Sequence, residues 1–322
     1  MSFKARSLTA IAFLILGLTS ACSDNEVPTL RLGTNLWPGY EPLYLARDMG
    51  FIDRKEIRLV EYVSASEVIR GFVNGNIDAA GLTLDEALLL KQRGLDIRII
   101  LVTNISDGGD AIIGRTSDHS ITDLAGKRIG VESSAVGAYF IARALEENGM
   151  TLDDIKAENL HFNEHEAAFL SGRIDAVVTF EPVRTNLLRK GGKEIFTSRQ
   201  IPGEIVDVIV VSEDLATRHA DHISDLINGW FQALEYLRSN PMDAARIIDL
   251  RQKTGPQNVI ESYDGLKLPD RQENIDFLLG ETATLKDVAD RMQRVMLSQE
   301  LLPAPVNIDD LFGHDISGLK EG

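Results

Sequence analysis

Two octapeptides decide the fold: Phe72-Val-Asn-Gly-Asn-Ile-Asp-Ala79 and Phe169-Leu-Ser-Gly-Arg-Ile-Asp-Ala176 share five of their eight residues. Upstream of each one, Arg31-Leu-Gly33 recurs as Arg128-Ile-Gly130, and both pairs of matches are 97 residues apart. Self-similarity at one fixed spacing indicates a repeated structural unit. Because this period is too long for a solenoid repeat, it predicts two lobes of similar build.

Each octapeptide is typical of a helix end, a glycine stop and the strand that follows. The phenylalanine is expected to face the core, and the glycine to take the left-handed conformation that ends helices. The aspartate is expected to begin the strand. Strands alternate with helices from Leu30 to Val102 and again from Leu124 to Thr179. This alternation predicts an α/β fold in both lobes.

The bulk composition fits a globular protein of two domains. The chain has 322 residues, of which 44% are hydrophobic and 25% are charged, and a chain of this length usually divides into two domains. Its net charge is −16. An acidic chain is poorly suited to nucleic acid, because that affinity comes largely from Lys and Arg that neutralise phosphates.

The N-terminus has the pattern of a signal peptide over residues 1–21. Lys4 and Arg6 precede an apolar run of 11 residues from Leu8 to Leu18, whereas a membrane-spanning helix needs about 20. Thr19-Ser-Ala21 then leads to Cys22, the single cysteine of the chain. This stretch resembles a bacterial lipoprotein box in which Cys22 is lipidated, although Leu18 stands one place too early. Residues 22–29 are expected to form a tether.

Four segments together resemble the nitrate/sulfonate/taurine-type solute-binding proteins of ABC importers. They are Trp37-Pro-Gly-Tyr-Glu-Pro-Leu-Tyr-Leu-Ala46, Asp123-Leu-Ala-Gly-Lys-Arg-Ile-Gly-Val131, Gly172-Arg-Ile-Asp-Ala176 and Phe180-Glu-Pro182. The resemblance implies a two-lobed type II periplasmic-binding fold, in which each lobe is a mixed, mostly parallel sheet flanked by helices. Lobe one would comprise residues 30–115 and 206–322, and lobe two, residues 116–205, would be inserted in it.

The same resemblance implies a periplasmic protein that captures a small solute between its lobes, and the lipoprotein box adds an expected membrane anchor at Cys22. The protein would deliver that solute to a transmembrane permease and its ATPase. A monomer with no cofactor and no bound metal is expected.

Sheets of α/β proteins bind ligands outside the carboxyl ends of their strands. The loops that follow the predicted strands therefore supply the candidate ligand-binding residues. These are Trp37, Tyr40, Glu41, Thr83, Asp107, Asp110, Ser133, Ser134, Thr179, Glu181 and Asp207. Trp37 and Tyr40 would wall the pocket, and Thr83 and Thr179 would donate hydroxyl hydrogen bonds.

The charge of the ligand stays open in the sequence. Ser133 and Ser134 are predicted to open a helix, whose free amides would suit a sulfonate, nitrate or carboxylate. Against this, most charged candidates are acids, and only Arg115 and Arg184 stand nearby with positive charge. Several acids in one cleft would favour an amine or a protonated pyrimidine, which some members of the superfamily bind.

An enzyme is the main alternative from another class, but the chain has no nucleophile beside a base and no Gly-rich phosphate loop after a strand. His161 and His165 have the spacing of a zinc pair without the glutamate of H-E-x-x-H, so two surface histidines are expected instead. A further alternative keeps the fold and has the protein present its ligand to a membrane receptor or sensor kinase.

Overall fold

The structure is a computed structural model that describes residues 29–280, 285–312, 316 and 318–320. The predicted signal peptide, Cys22 and the tether up to residue 28 lie outside the described residues. Within the described residues, no helix is both long and apolar enough to cross a bilayer.

The first sheet is mixed. It contains β1 Leu30–Asn35, β2 Ile57–Tyr62, β3 Ala79–Thr83, β4 Ile97–Ser106, β10 Val206–Ser212 and β11 Leu266–Lys267. Their spatial order is β11-β4-β10-β3-β1-β2. β1 runs parallel to β2 and β3, whereas β10 runs antiparallel to both β3 and β4.

The second sheet repeats this plan. It contains β5 Asp110–Gly114, β6 Arg128–Val131, β7 Lys156–Asn159, β8 Ala176–Phe180 and β9 Lys193–Thr197, in the order β7-β6-β8-β5-β9. β6 runs parallel to β7 and β8, and β5 runs antiparallel to β8 and β9. In each sheet one inner strand, β10 or β5, runs antiparallel to its neighbours. It lies beside the strand that follows the repeated octapeptide, which is β3 or β8.

Helices flank both sheets. They are α1 Glu41–Met49, α2 Ala65–Val73, α3 Leu84–Gln92, α4 Val136–Glu146, α5 His165–Leu170, α6 Val183–Arg189, α7 Glu213–Arg218, α8 Ala220–Ser239, α9 Pro241–Gln252, α10 Pro256–Ser262, α11 Arg271–Leu279 and α12 Leu285–Ser298. We call the first sheet with α1–α3 and α7–α12 lobe one, and the second sheet with α4–α6 lobe two. The predicted α/β class with two mixed sheets is confirmed.

The crossovers between the sheets are short. The chain leaves the first sheet after Ser106 and enters the second at Asp110, then leaves after Thr197 and returns at Val206. β5 therefore pairs in the second sheet, whereas the predicted boundary assigned residues 110–114 to lobe one. The repeat begins only at β6, so it does not mark β5 as the first strand of the second lobe.

The repeated octapeptides hold equivalent ion pairs. Arg31 donates from Nε to Asp78 at 2.7 Å and from Nη2 to the carbonyl of Gly75 at 2.9 Å. In lobe two, Arg128 donates from Nε to Asp175 at 3.1 Å and from Nη2 to the carbonyl of Gly172 at 2.9 Å. Each aspartate also accepts from the backbone N–H of its arginine.

The glycine of each octapeptide has the predicted backbone conformation, because φ is +68° at Gly75 and +77° at Gly172. The phenylalanines, Phe72 and Phe169, are buried. The repeat therefore joins the carboxyl end of a helix to the strand that follows it, β3 or β8, and its aspartate binds the arginine that begins the repeat in the neighbouring strand, β1 or β6.

Candidate functional site

A small cavity lies between the lobes, at the ends of their central strands. Lobe one lines it with Asn35, Trp37, Tyr40, Ala65, Thr83, Glu86 and Asp207, and lobe two with Asp110, Val136 and Phe180. Its volume is about 20 Å³, which is room for roughly one water molecule. The strand ends of both sheets thus converge on one place.

Aromatic rings form one wall of the cavity. The Trp37 ring meets Phe180 of lobe two edge to face, with centroids 5.3 Å apart, and Phe180 stacks on Phe162 at 4.2 Å. The indole Nε1 of Trp37 donates to Asn104 Oδ1 at 3.0 Å. This hydrogen bond fixes the plane of the indole, so the wall is rigid and spans both lobes.

Asp207 is an acid of the cavity that is held by two side-chain hydrogen bonds. It accepts from the Tyr40 hydroxyl at 2.7 Å and from Asn104 Nδ2 at 2.8 Å, so one hydrogen-bonded chain links Trp37, Asn104, Asp207 and Tyr40. Burial, helped by the negative charges of Asp110 and Asp85, raises the pKa of Asp207 to about 8. The two hydrogen bonds act in the opposite direction and are outweighed.

Three more acids are buried around the same cavity. Burial raises the pKa of Asp110 to about 6 and that of Asp85 to about 6, and the pKa of Glu86 is also raised, by burial and by the charge of Asp85. Asp110 Oδ2 and Asp85 Oδ1 have no hydrogen-bond partner among the described residues. Of the described residues that line the cavity, none is Lys or Arg. The site is therefore acidic, without a cation of its own.

Glutamates hold the two lobes together beside this cavity. Glu86 of lobe one accepts from the backbone N–H of Val136, the first residue of α4, at 3.1 Å. Glu132 of lobe two accepts from the N–H of Ser66, in the first turn of α2, at 3.0 Å. Each lobe thus places a carboxylate on the helix N-terminus of the other, where amides and helix dipole favour negative charge.

A second cavity of about 20 Å³ adjoins the first one in lobe two, and Asp110, Glu132, His165, Thr179 and Phe180 are among its lining residues. His165 Nδ1 lies 3.2 Å from the Thr179 hydroxyl. Burial lowers the pKa of His165 to about 4, so this ring is neutral at pH 7. The prediction of two surface histidines is wrong for His165, which is 1% exposed, because α5 turns it inward.

The structure brings five of the predicted site residues together around the first cavity: Trp37, Tyr40, Thr83, Asp110 and Asp207. Thr179 lines the adjoining cavity. The other five predicted residues lie elsewhere.

Glu41 is buried at the start of α1 and pairs with Arg251 of α9, away from the cavity. Asp107 is partly exposed in the crossover and pairs with Lys267 at 3.3 Å. Glu181 accepts from Arg184 Nη1 at 2.8 Å and from the hydroxyl of Thr185 at 2.9 Å. These three acids already have partners of their own.

Ser133 and Ser134 do not open α4, which begins at Val136 after an Ala135 cap. Both serines are exposed, and the Ser134 hydroxyl contacts that of Ser66 at 2.6 Å. The two arginines expected near the site are also engaged. Arg115 donates to the carbonyls of Phe169 and Ile174, and Arg184 pairs with Glu194 as well as Glu181.

Sequence reasoning missed Asn104, Glu86 and Phe180 as members of the site. Glu86 had a signal, since Asp85-Glu86 interrupts the otherwise apolar run Leu82–Leu90 just after β3. Phe180 ends β8, directly after the predicted Thr179. Asn104 lies near the end of β4, where the register with β10 sets it opposite Asp207.

Two α/β lobes of the same strand order, joined by two short crossovers and lined with polar and aromatic residues where they meet, define the class of two-lobed binding proteins. The chain belongs to the NMT1-like family, whose sequence profile matches residues 23–250. Membership of this family agrees with the resemblance of the four sequence segments to solute-binding proteins of the nitrate/sulfonate/taurine type.

Curated relatives agree with this class. A binding protein of Brucella abortus (strain 2308) is 31% identical over 191 residues, which are 56% of this chain and 56% of the relative. The chain thus matches only about half the length of that relative. An aliphatic sulfonates-binding protein of Bacillus subtilis (strain 168) is 23% identical over 316 residues, which are 88% of this chain and 93% of the relative.

A solved structure has the same fold. The alkanesulfonate-binding protein SsuA of Xanthomonas axonopodis pv. citri, bound to MOPS, superposes with a TM-score of 0.74. The superposition covers 87% of this chain and 96% of that protein at 18% identity. At that identity the likeness concerns the fold alone.

Proposed function

We propose that this protein is the solute-binding component of an ABC importer. It captures a small solute between its two lobes and hands it to a transmembrane permease that works with an ATPase. The observation that carries the proposal is the polar and aromatic cavity lined from both lobes. A ligand held there contacts both lobes at once, so it binds the closed arrangement better than an open one and shifts the protein toward closure.

Membership of the NMT1-like family and the names of the relatives support this role. The relatives' names point to sulfonates, and the notable difference is the acidic lining of the cavity. The solute class is therefore a separate question from the role, and nitrate, sulfonate, amine and pyrimidine ligands all belong in a first screen. A role in presenting the ligand to a membrane receptor would use the same closed shape. Loss of solute uptake after deletion of the gene would favour import.

Tryptophan fluorescence provides the binding test. The chain contains two tryptophans, and Trp230 is fully buried in α8, away from the cavity. In a Trp230→Phe variant the emission comes from Trp37 alone. We expect saturable quenching or a spectral shift of that emission with a true solute, and loss of the response in Trp37→Phe. A screen in which no solute changes the Trp37 emission or the melting temperature would contradict the proposal.

We also propose that the mature protein is periplasmic, monomeric and attached to a membrane through lipidated Cys22. The support is the N-terminal sequence, in which a short apolar run is followed by small residues and the single cysteine. A Cys22→Ser variant should appear in the soluble periplasmic fraction, whereas the unmodified protein should sediment with membranes. Membrane retention of the variant would exclude the lipid anchor, and gel filtration of the soluble variant tests the monomer.

A further inference from the structure

The small cavity between the lobes has carboxyl groups and no basic side chain among its lining residues. Asp110 is 6% exposed and lines the cavity, and its Oδ2 has no partner among the described residues. Asp207 lies across the same cavity and receives neutral donors only, from Tyr40 and Asn104. A buried carboxylate that lacks a cation is costly, because it gives up hydration without an equivalent return. The group that best offsets this cost is a positive charge between the two aspartates.

Beside this cavity, the backbone and indole N–H groups that would bind an anion already have acceptors. The N-terminal amide of α4 is bound by Glu86, and the first turn of α2 is bound by Glu132 and by the hydroxyl of Ser64. The indole N–H of Trp37 is bound by Asn104. A sulfonate or nitrate would therefore have to displace carboxylates from both helices and then lie next to Asp110 and Asp207.

We propose that the solute is a small organic cation, whose ammonium or amidinium group is bound between Asp110 and Asp207 while its apolar part lies against Trp37 and Phe180. This inference rests on the proposed solute-binding function and adds the chemical class of the ligand. Aromatic faces attract cations through the ring quadrupole. The aromatic wall and the two aspartates therefore both favour a cationic ligand. The cavity of about 20 Å³ has room for the charged group alone, so the lobes must separate further to admit the apolar part of the solute.

The charge of the site implies a defined pH dependence. The titratable groups around the two aspartates are Asp85 and Glu86 from lobe one, Glu132 and His165 from lobe two, and the Tyr40 hydroxyl. Burial raises the pKa of Asp110 to about 6 and that of Asp207 to about 8. A cation favours the deprotonated form of both, so its binding releases protons and tightens as pH rises from 5.5 to 8.5. Where one proton is released, affinity rises about tenfold per pH unit.

Matched probes of equal shape and different charge test the proposal on the full mature chain. Benzamidine, benzamide and benzenesulfonate form one set, and butylamine and butanesulfonate form another, each titrated by calorimetry. We expect the cation of at least one set to bind tenfold or more tightly than its neutral or anionic counterparts. Asp110→Asn should weaken that cation at least tenfold. Asp107→Asn is the matched control, because Asp107 lies three residues away and pairs with Lys267 outside the cavity.

The outcomes separate this inference from the proposed function. Tighter binding of a sulfonate than of the cation, or an unchanged cation affinity in Asp110→Asn, would overturn the cation proposal and leave solute binding intact. No binding by any probe at millimolar concentration would count against both. If Asp110→Asn does not fold, the pH titration of the unmodified protein decides instead, because a cation affinity that stays flat or falls from pH 5.5 to 8.5 contradicts the proposal.

Discussion

At the scale of single residues, the site depends on one hydrogen-bonded chain from Trp37 through Asn104 and Asp207 to Tyr40. Asn104 serves both ends of that chain, since its Oδ1 accepts and its Nδ2 donates. Gly39 makes this possible, because a Cβ there would collide with the Asn104 side chain and come within 2.5 Å of Trp37 Nε1. Gly39 therefore lets the Trp-Pro-Gly turn lie close to the Asn104 side chain, in addition to reversing the direction of the chain.

The buried acids should make the ligand-free protein less stable as pH rises. The pKa of Asp207 is raised to about 8 from its ordinary value of 3.8, so the folded state holds a proton that the unfolded chain releases. Its stabilising contribution is complete below the unfolded pKa and is lost as pH rises toward 8. We expect the free energy of unfolding to fall by on the order of 4 kcal/mol between pH 5 and pH 8.5, which is about 1.36 kcal/mol for each pH unit up to pH 8.

Urea unfolding at several pH values measures this loss. Asp207→Asn keeps the shape of the side chain and removes its titration, so the decline should become shallower in that variant. Asp107→Asn, on the partly exposed crossover, should follow the unmodified protein. A steeper or unaltered decline in Asp207→Asn would show that another acid, such as Glu86 or Glu41, dominates.

At the scale of elements, the repeated octapeptide was the most informative part of the sequence. It predicted two helix ends, two left-handed glycines and two buried phenylalanines, all of which depend on residues close in the chain. It did not predict that Asp78 and Asp175 bind Arg31 and Arg128, 47 residues away in each lobe. That partnership follows from the parallel pairing of β1 with β3 and of β6 with β8, which a local pattern does not contain.

The difference between local patterns and pairing of distant residues also explains the predictions that were wrong. The predicted helix start at Ser133 failed because serine is also favoured in turns, and here Ala135 precedes the first helical residue. β5 was not assigned to lobe two because the 97-residue repeat begins only at β6 and does not include it. Of the site, aromatics and acids at strand ends were predictable, whereas Asn104 and the partners of Glu41 and Glu181 depend on packing between distant elements.

The repeated ion pairs predict equal losses in the two lobes. Asp175→Asn removes a bidentate partner of Arg128, and the pKa of Asp175 is lowered by that guanidinium. Because both side chains are about one third exposed or more, we expect a loss of about 1 kcal/mol of unfolding free energy. Asp78→Asn should cost a similar amount. Urea unfolding at low ionic strength measures both losses, because urea does not screen charges. A loss below pH 3 comparable to that at pH 7 would contradict an ionic origin.

At the scale of the whole molecule, the two lobes stabilise each other's helices. Glu86 reaches from α3 to α4, and Glu132 reaches from the end of β6 to α2. The acids that close the lobes also surround the cavity, so ligand charge and lobe closure are coupled. A cation in the cavity would lower the repulsion among these acids and so favour the closed arrangement.

Removing one of these carboxylates should open the lobes. Glu132→Ala deletes the acceptor for the Ser66 N–H, a charge-assisted hydrogen bond that contributes about 1.5–3 kcal/mol. A loss of this size shifts the equilibrium between closed and open arrangements by about tenfold or more. We expect a larger radius of gyration in small-angle X-ray scattering and weaker solute binding. Glu67→Ala is the control, because the Glu67 side chain pairs with Arg70 on the exposed side of α2. An unchanged radius of gyration in Glu132→Ala, together with unchanged affinity, would mean that the cavity lining alone holds the lobes closed.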